Sequence, residues 1–363
     1  MYLKRITLNN FKNITDAQLD FSHKINCVLG NNGAGKTNLL DAVYYISMTK
    51  SFFSPDQFII SHNRDSAFMN GIYKMDDDCE EKIAVSLQRE GDKVIKRNGK
   101  SYSRLSEHIG LLPIVMVSPA DSSLINDSGD QRRRFMNFVL SQIDRLYLQH
   151  VQSYNQLLAQ RNKLLKSDNI SEDLLDTISA QMVPHAQYIF NSRKDLCIKL
   201  LPLVKEYYSS LSGNAEDISL EYRSDLDSAP FEEIIRRELP KDKYLKFTTA
   251  GIQRDDIIFS LDGYSIRKCG SQGQQKTFLL SVKLAQFALM KSIHGTAPIL
   301  LLDDVFDKLD MNRVEYLIGI VAGNGFGQIF ITDSNKVRIS SIVDNFKADC
   351  ANVKVEKGCF ETI

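Results

Sequence analysis

Residues Gly30-Asn31-Asn32-Gly33-Ala34-Gly35-Lys36-Thr37 fit the pattern Gly-x-x-x-x-Gly-Lys-[Ser/Thr] at every fixed position. This pattern works only in one setting, a strand that ends in a glycine loop that opens a helix. Ile25-Asn26-Cys27-Val28-Leu29 is short, apolar and β-branched, and stops at Gly30. Leu39, Leu40, Val43, Tyr44 and Ile46 then follow helical spacing. Strand, loop and helix therefore stand in the order that a phosphate-binding loop requires. Glycines let successive backbone N–H groups face the phosphates. The helix start adds its positive dipole end. Lys36 suits the β- and γ-oxygens of a nucleoside triphosphate, and the Thr37 hydroxyl suits Mg²⁺. Gly30 to Thr37, with Asn38 beside them, form the expected nucleotide site.

A metal-binding acid is needed next. Pro298-Ile299-Leu300-Leu301-Leu302 reads as a buried strand and runs straight into Asp303-Asp304. Asp303 is expected in the Mg²⁺ shell. Asp304, one residue on, is expected to act as general base for water, so Asp304 and Lys36 are the predicted catalytic pair. A second glycine-bearing helix start, Cys269-Gly270-Ser271-Gln272-Gly273-Gln274-Gln275-Lys276-Thr277, precedes a predicted helix over Phe278 to Met290. Ser271, Gln272, Gly273 and Gln274 make either a helix cap or a second anion-binding surface. One phosphate loop seldom needs two such surfaces, so the second would close on the nucleotide of another subunit, in a head-to-tail pair.

Between these motifs the chain changes character. Leu3, Ile6, Leu8 and Phe11 suggest a first strand, and residues 65 to 105 suggest antiparallel strands, with Asn98-Gly99 as a tight turn. From Gln131 to Lys166 and from Ser171 to Leu211 the periodicity is helical, with Pro184 expected to kink or divide the second stretch. Strand signals return at Ile218 to Tyr222 and around Ile257 to Phe259, with Asp262-Gly263 as a hairpin turn. The expected fold is α/β, with an antiparallel β portion and an inserted all-helical second domain. Its boundaries fall at 1–127 for the N-terminal part of the head, 128–216 for the helical insert and 217–363 for the C-terminal part.

Lys+Arg and Asp+Glu are each 45, so formal net charge is zero. A grip on nucleic acid by the whole chain is excluded, and any basic face must be local. Arg132, Arg133 and Arg134 are one candidate for phosphate contacts; Arg161, Lys163 and Lys166 are a second. Tyr154, Tyr188, Tyr207 and Tyr208 read as core. The cysteines (Cys27, Cys79, Cys197, Cys269, Cys350, Cys359) form no CxxC pair, which fits reduced thiols in the cytoplasm. No membrane-length apolar run is present. Asn335-Lys336-Val337-Arg338 lacks the Asp of a guanine motif, and Gly323 to Gly327 reads as a turn.

Ser271-Gln-Gly-Gln before a helix resembles the LSGGQ signature of ABC-type ATPases, and Asp307-Lys308-Leu309-Asp310 resembles their D-loop. Lys36-Thr37-Asn38-Leu39-Leu40-Asp41-Ala42-Val43 resembles the DNA-repair and SMC branch. Thr49-Lys50-Ser51-Phe52, Ser118-Pro119-Ala120-Asp121, Arg132-Arg133-Arg134-Phe135, Ser141-Gln142, Gln160 to Leu165 and Gly251-x-x-Arg254-Asp255-Asp256 extend the likeness. On these stretches the chain is identified as a member of the RecF family of bacterial recombination mediator ATPases. It departs from the family at Phe53, usually Arg; at Ile252-Gln253, usually Pro-His; and at Asp333-Ser334-Asn335, usually Thr-Thr-Asp. The resemblance implies an ABC-type P-loop head with cofactors ATP and Mg²⁺. It implies a homodimer in the ATP state and binding to single-strand and duplex DNA at gaps and junctions. It also implies RecR and RecO as partners, no membrane, and a weak DNA-stimulated ATPase serving DNA replication, recombination, repair and the SOS response to DNA damage. The rivals are an SMC-like chromosome-structuring ATPase and an ABC transporter nucleotide-binding subunit. The first needs long heptad coiled coils that the insert is too short to form. The second leaves the helical insert unexplained.

Overall fold

The computed structural model describes residues 1–213, 216–306, 311–323, 325–334 and 350–363. These gather into two compact units, one of residues 1–121 with 286–363 and one of residues 122–285.

The first unit opens with β1 (Tyr2–Phe11) and β2 (Ile14–Asp20), an antiparallel pair. Leu3, Ile6, Leu8 and Phe11 all point inward. The step of three between Leu3 and Ile6 spans a register shift, so a bulge keeps both on the core face. Then come β3 (Ile25–Leu29), buried along its whole length, and α1 (Lys36–Met48). Every residue of α1 from Leu39 to Met48 is buried. A helix covered all round belongs at the centre of a fold, and α1 does touch β1, β4 and β5 on one side and β8, β12 and β13 on the other. The strands are β4 (Ser66–Lys74), β5 (Glu80–Gln88), β6 (Val94–Arg97), β7 (Lys100–Ser101) and β8 (Ile114–Val117). Asn98-Gly99 closes the β6–β7 hairpin with both residues at positive φ. The first sheet runs β2-β1-β4-β5-β6-β7.

The second unit contains α2 (Ser123–Asn126), α3 (Gly129–Ile143), α4 (Arg145–Leu165) and α5 (Glu172–Ser212). Pro184 does not divide α5, which continues through both Pro184 and Pro202 for 41 residues. At 1.5 Å per residue that is about 60 Å of helix. The break falls instead at Asp144, whose carboxylate accepts from the backbone N–H of Leu146 and Tyr147 and so starts α4. β9 (Ile218–Arg223), α6 (Phe231–Leu245), β10 (Asp256–Leu261), β11 (Tyr264–Ser265) and α7 (Ile266–Cys269) follow, with an antiparallel sheet in the order β11-β10-β9. The expected boundary at 216/217 is therefore not where the contacts thin out. β9 packs on α5 and β10 on α3, so residues 217–285 cluster with the helices α3 to α5 that fill the insert. α8 (Gln272–His294) begins in this unit and ends in the first.

The chain then supplies β12 (Ile299–Asp303), α9 (Met311–Ala322), β13 (Ile329–Asp333), β14 (Cys350–Glu356) and β15 (Cys359–Thr362). The second sheet of the first unit runs β15-β14-β3-β13-β12-β8, parallel except for β15. Both ends of the sequence build it. Parallel strands present their C-terminal ends at one edge, which is where open α/β sheets bind ligands. All six cysteines are free; the Cys27 and Cys350 sulfurs lie 3.8 Å apart on neighbouring strands.

Candidate nucleotide site and candidate nucleic-acid contacts

Gly33 and Gly35 adopt φ of 78° and 120°, where a side chain is strained. Gly30 is approached so closely by the Val355 carbonyl that an added Cβ would lie 2.4 Å from it. The loop thus needs its glycines for reachable conformations and for packing. Lys36 is 7% exposed, and its ammonium donates to the carbonyls of Gly30 at 2.7 Å and Asn31 at 3.1 Å. The lysine is therefore aimed back across the loop. At the start of α1, Gly35 provides no side-chain cap and the first turn holds no acid. The N–H groups there have no side-chain acceptor of their own, which suits an external anion.

Two supports escaped the sequence reading. Asn13, in the β1–β2 turn, accepts from the Asn38 amide at 2.7 Å and donates to the Ala34 carbonyl at 3.4 Å. The β14–β15 turn reaches the same carbonyl, with Gly358 N–H donating to Ala34 O at 2.8 Å. Lys357-Gly358 at φ 50° and 80° has the signature of a tight hairpin turn and was legible as one. Asn13 carries no comparable signal. Asp41, fully buried in α1, explains Ser51-Phe52. Its carboxylate accepts from Ser51 Oγ, Phe52 N–H and Lys12 Nζ at 2.6 to 2.8 Å. Phe53 stacks edge-on against Phe52, with Lys12 Nζ 5.6 Å from its ring.

Asp303 ends β12 two strands from β3, at the same sheet edge. The Thr37 hydroxyl donates to its two oxygens at 2.9 and 3.0 Å, and Thr332 Oγ1 of the intervening β13 donates at 2.8 Å. Burial pushes the Asp303 carboxyl above the usual carboxylate range, against the two hydroxyl bonds that favour ionisation. A hydroxyl and a carboxylate side by side are hard oxygen donors, fitted to Mg²⁺ that completes its shell with phosphate oxygens. Among the described residues no cluster of three His, Cys, Asp or Glu side chains could hold a metal, and such a site does not need one. Asp304 turns at φ 50°, its N–H held by Thr332 Oγ1 at 3.0 Å. Thr332 organises both acids and was not foreseen. Ser334 is exposed beyond the end of β13.

Ser271 and Gln274 form a reciprocal cap. Ser271 N–H donates to Gln274 Oε1 at 2.7 Å, and Gln274 N–H donates to Ser271 Oγ at 3.2 Å. Ser271 and Gln272 are nevertheless exposed. The Asp307 to Asp310 stretch and Asn335 to Arg338 lie outside the described residues.

The arginine candidates need correction. Arg132 is buried and forked onto Asp256 at 2.6 and 3.0 Å, with further bonds to the carbonyls of Leu124 and Asp127. Arg133 donates to the Asp255 carbonyl at 2.8 Å; only Arg134 is well exposed. Arg132 sits three and seven residues before the buried Phe135 and Val139, on the apolar stripe of α3, and that spacing was the available signal. Arg161 is also fully buried, bonded to Asp242 and Thr248 at 2.7 Å. Asp255 pairs with buried Arg193 at 2.6 Å, and Gln253 accepts from Tyr154 OH at 2.6 Å. The Arg254-Asp255-Asp256 motif is thus an anchor for arginines from two helices.

The sequence matches the RecF/RecN/SMC N terminal domain family over residues 2–355. It is 44% identical over 359 residues to the DNA replication and repair protein RecF of Parabacteroides distasonis, covering 99% of this chain and 98% of the relative. Against RecF of Porphyromonas gingivalis the identity is 45% over 361 residues, with 99% of each covered. A solved structure of the recombination mediator protein RecF with ATP, in the RecFOR pathway, superposes with a TM-score of 0.90 at 28% identity, over 100% of this chain and 97% of that one. An Smc head bound to the C-winged helix domain of ScpA gives 0.60 at 16% identity over 100% of this chain and 97% of that one, a likeness of fold. Among the described residues no helix is long and apolar enough to cross a membrane.

Proposed function

This chain belongs to the RecF family, and on that premise we propose that it is a cytoplasmic, ATP-dependent DNA-binding recombination mediator. The observation that carries the reading is the Thr37–Asp303 contact, which joins the phosphate loop from one end of the chain to the acid from the other. Gly30 to Asn38 bind ATP, with Lys36 on the β- and γ-oxygens. Thr37 and Asp303 hold Mg²⁺, which when bound neutralises phosphate charge. Asp304 takes the proton of the attacking water. Ser271 to Gln274 close on the γ-phosphate of a second copy, so ATP holds a head-to-tail dimer on DNA. Slow, DNA-stimulated hydrolysis then releases it. The clamp acts at gaps and single/double-strand junctions, where RecR and RecO use it to load recombinase during repair and replication restart.

Net charge is zero, so one subunit offers only a local basic strip, and two strips brought together double the phosphate contacts. Each neutralised phosphate adds about −0.9 to the slope of log affinity against log salt on duplex DNA. Filter binding over a salt series is expected to give a steeper slope and tighter binding with ATP than without nucleotide. Scrambled duplexes are expected to bind alike, since phosphate contacts carry no sequence information. Equal slopes and affinities in the two states would overturn the clamp.

A further inference from the structure

We infer that the far end of α6 is a stacking platform for single-stranded nucleic acid, separate from the nucleotide site. The inference rests on the DNA-binding reading above and adds a place and a mode to it.

α6 buries Phe231, Ile234, Ile235 and Asp242 on one face. Its exposed residues include Arg236, then Arg237 and Lys241, which pair with Glu238 at 3.2 and 3.7 Å, and then Tyr244, which is 85% exposed. The helix ends at Lys246 in the left-handed region, at φ 60°, and Phe247 follows with 40% of its surface exposed. A tyrosine turned almost wholly to water and a phenylalanine turned partly to it share this helix end, with Leu245 between them 41% exposed. Neither is loosely placed. Immediately after Phe247, Thr248 is buried, with its N–H donating to Asn162 Oδ1 at 2.7 Å and its hydroxyl bonded to Arg161. Asp242 on the other side is locked to Arg161. The backbone is therefore pinned on both flanks while the rings point outward.

The same bonds bring the end of α4 to this spot. Asn162 is followed by exposed Lys163, and α4 ends at exposed Lys166. Lys163, Lys166 and Lys246 have no carboxylate partner among the described residues, whereas Lys243 is paired with Glu172. Helix-dipole complementarity accounts for cations at a helix C-terminus, but not for exposed rings among them. Rings interleaved with unpaired lysines match a strand of bases and phosphates: each base has a face to stack and each phosphate a charge to meet. A duplex hides its base faces, so the platform favours single strands.

The chain contains no tryptophan, so Tyr244→Trp places one indole at the platform. Titration with an oligo-dT strand is expected to quench its fluorescence saturably. An oligomer of abasic sugar-phosphates is expected to quench far less. In anisotropy, Tyr244→Ala with Phe247→Ala is expected to bind oligo-dT roughly tenfold or more weakly than the unsubstituted protein. Duplex binding and ATP binding are expected to hold. If the double variant binds oligo-dT as tightly as the unsubstituted protein, or if abasic and base-bearing strands quench alike, the platform is wrong while ATP-dependent duplex binding stands. If the unsubstituted protein binds neither strand nor duplex, both this inference and the DNA-binding reading fall.

Discussion

Asp303 and Asp304 are neighbours in sequence and differ in circumstance. Asp303 is buried and held by two threonine hydroxyls, while Asp304 is half-buried in a left-handed turn. For Asp303 the folded pKa is raised by burial, so the folded state holds the proton more tightly than the unfolded chain. Ionisation then costs stability as pH rises from the unfolded pKa through the folded one, and the full cost applies above both. Asp303→Asn removes that cost. Without nucleotide it is expected to raise the melting temperature at neutral and alkaline pH, by a margin that narrows as the pH falls through the raised folded pKa toward the ordinary carboxylate range. Mg²⁺-dependent ATP binding is expected to fall at the same time, as read by calorimetry. A melting temperature that drops at every pH would show that the carboxylate stabilises the fold instead. Asp304→Asn is the matched test of the base. Asparagine tolerates positive φ as aspartate does, so the turn survives. Turnover is expected to fall by about 10² to 10⁴, the usual worth of a general base, with ATP binding intact. Near-normal hydrolysis would place the base elsewhere.

At the scale of elements, the second unit is held by charge as well as by apolar packing. Arg193 of α5 is 2% exposed and bonds to Asp255, to the Ile252 carbonyl and to Tyr147 of α4. Removing one partner of a buried pair leaves the other charge uncompensated, at about 3–5 kcal/mol. Arg193→Met is therefore expected to lower urea stability by about that amount, and adding Asp255→Leu is expected to restore part of it. No recovery in the double variant would mean that shape, not charge, was lost. These arginines show where sequence reading stops. The phosphate loop was legible because loop, strand and helix are contiguous. The acids were legible because a buried strand runs into them. Arg132 and Arg161 looked like surface cations because their partners, Asp256 and Asp242, lie far along the chain. Thr332 was hidden for the same reason: its bonds to Asp303 and Asp304 exist only once β12 and β13 pair. Gly358 likewise meets the loop only after β14 has joined β3, and Asn13 only once the β1–β2 turn lies beside it.

For the whole molecule, both termini were legible as parts of one head, since each carries half of the nucleotide chemistry. The extent of the second unit was not, because β9 and β10 join the helices through packing that no local pattern announces. That division gives the two motifs different addresses: Lys36 lies in the unit formed by the chain ends, and Ser271 in the unit formed by residues 122–285. A dimer with composite sites makes a particular demand on mixed variants. Lys36→Ala is expected to abolish ATP binding, since the loop offers no other cation for the β- and γ-oxygens. Ser271→Arg is expected to keep ATP binding and to stop dimerisation and hydrolysis. It also removes the cap on α8, about 1 kcal/mol, so Ser271→Asn, which can still cap, serves as the folding control. Alone, each of the two inactive variants is silent. In the proposed dimer, a mixed pair would take an intact phosphate loop from one chain and an intact Ser271 from the other, so each heterodimer would hold one complete site. ATPase activity is expected to return on mixing, toward at most half the unsubstituted level per dimer, and to depend on total protein concentration. Hydrolysis by Ser271→Arg alone, at a rate independent of concentration and with a monomer's sedimentation, would show instead that a single chain completes its own site.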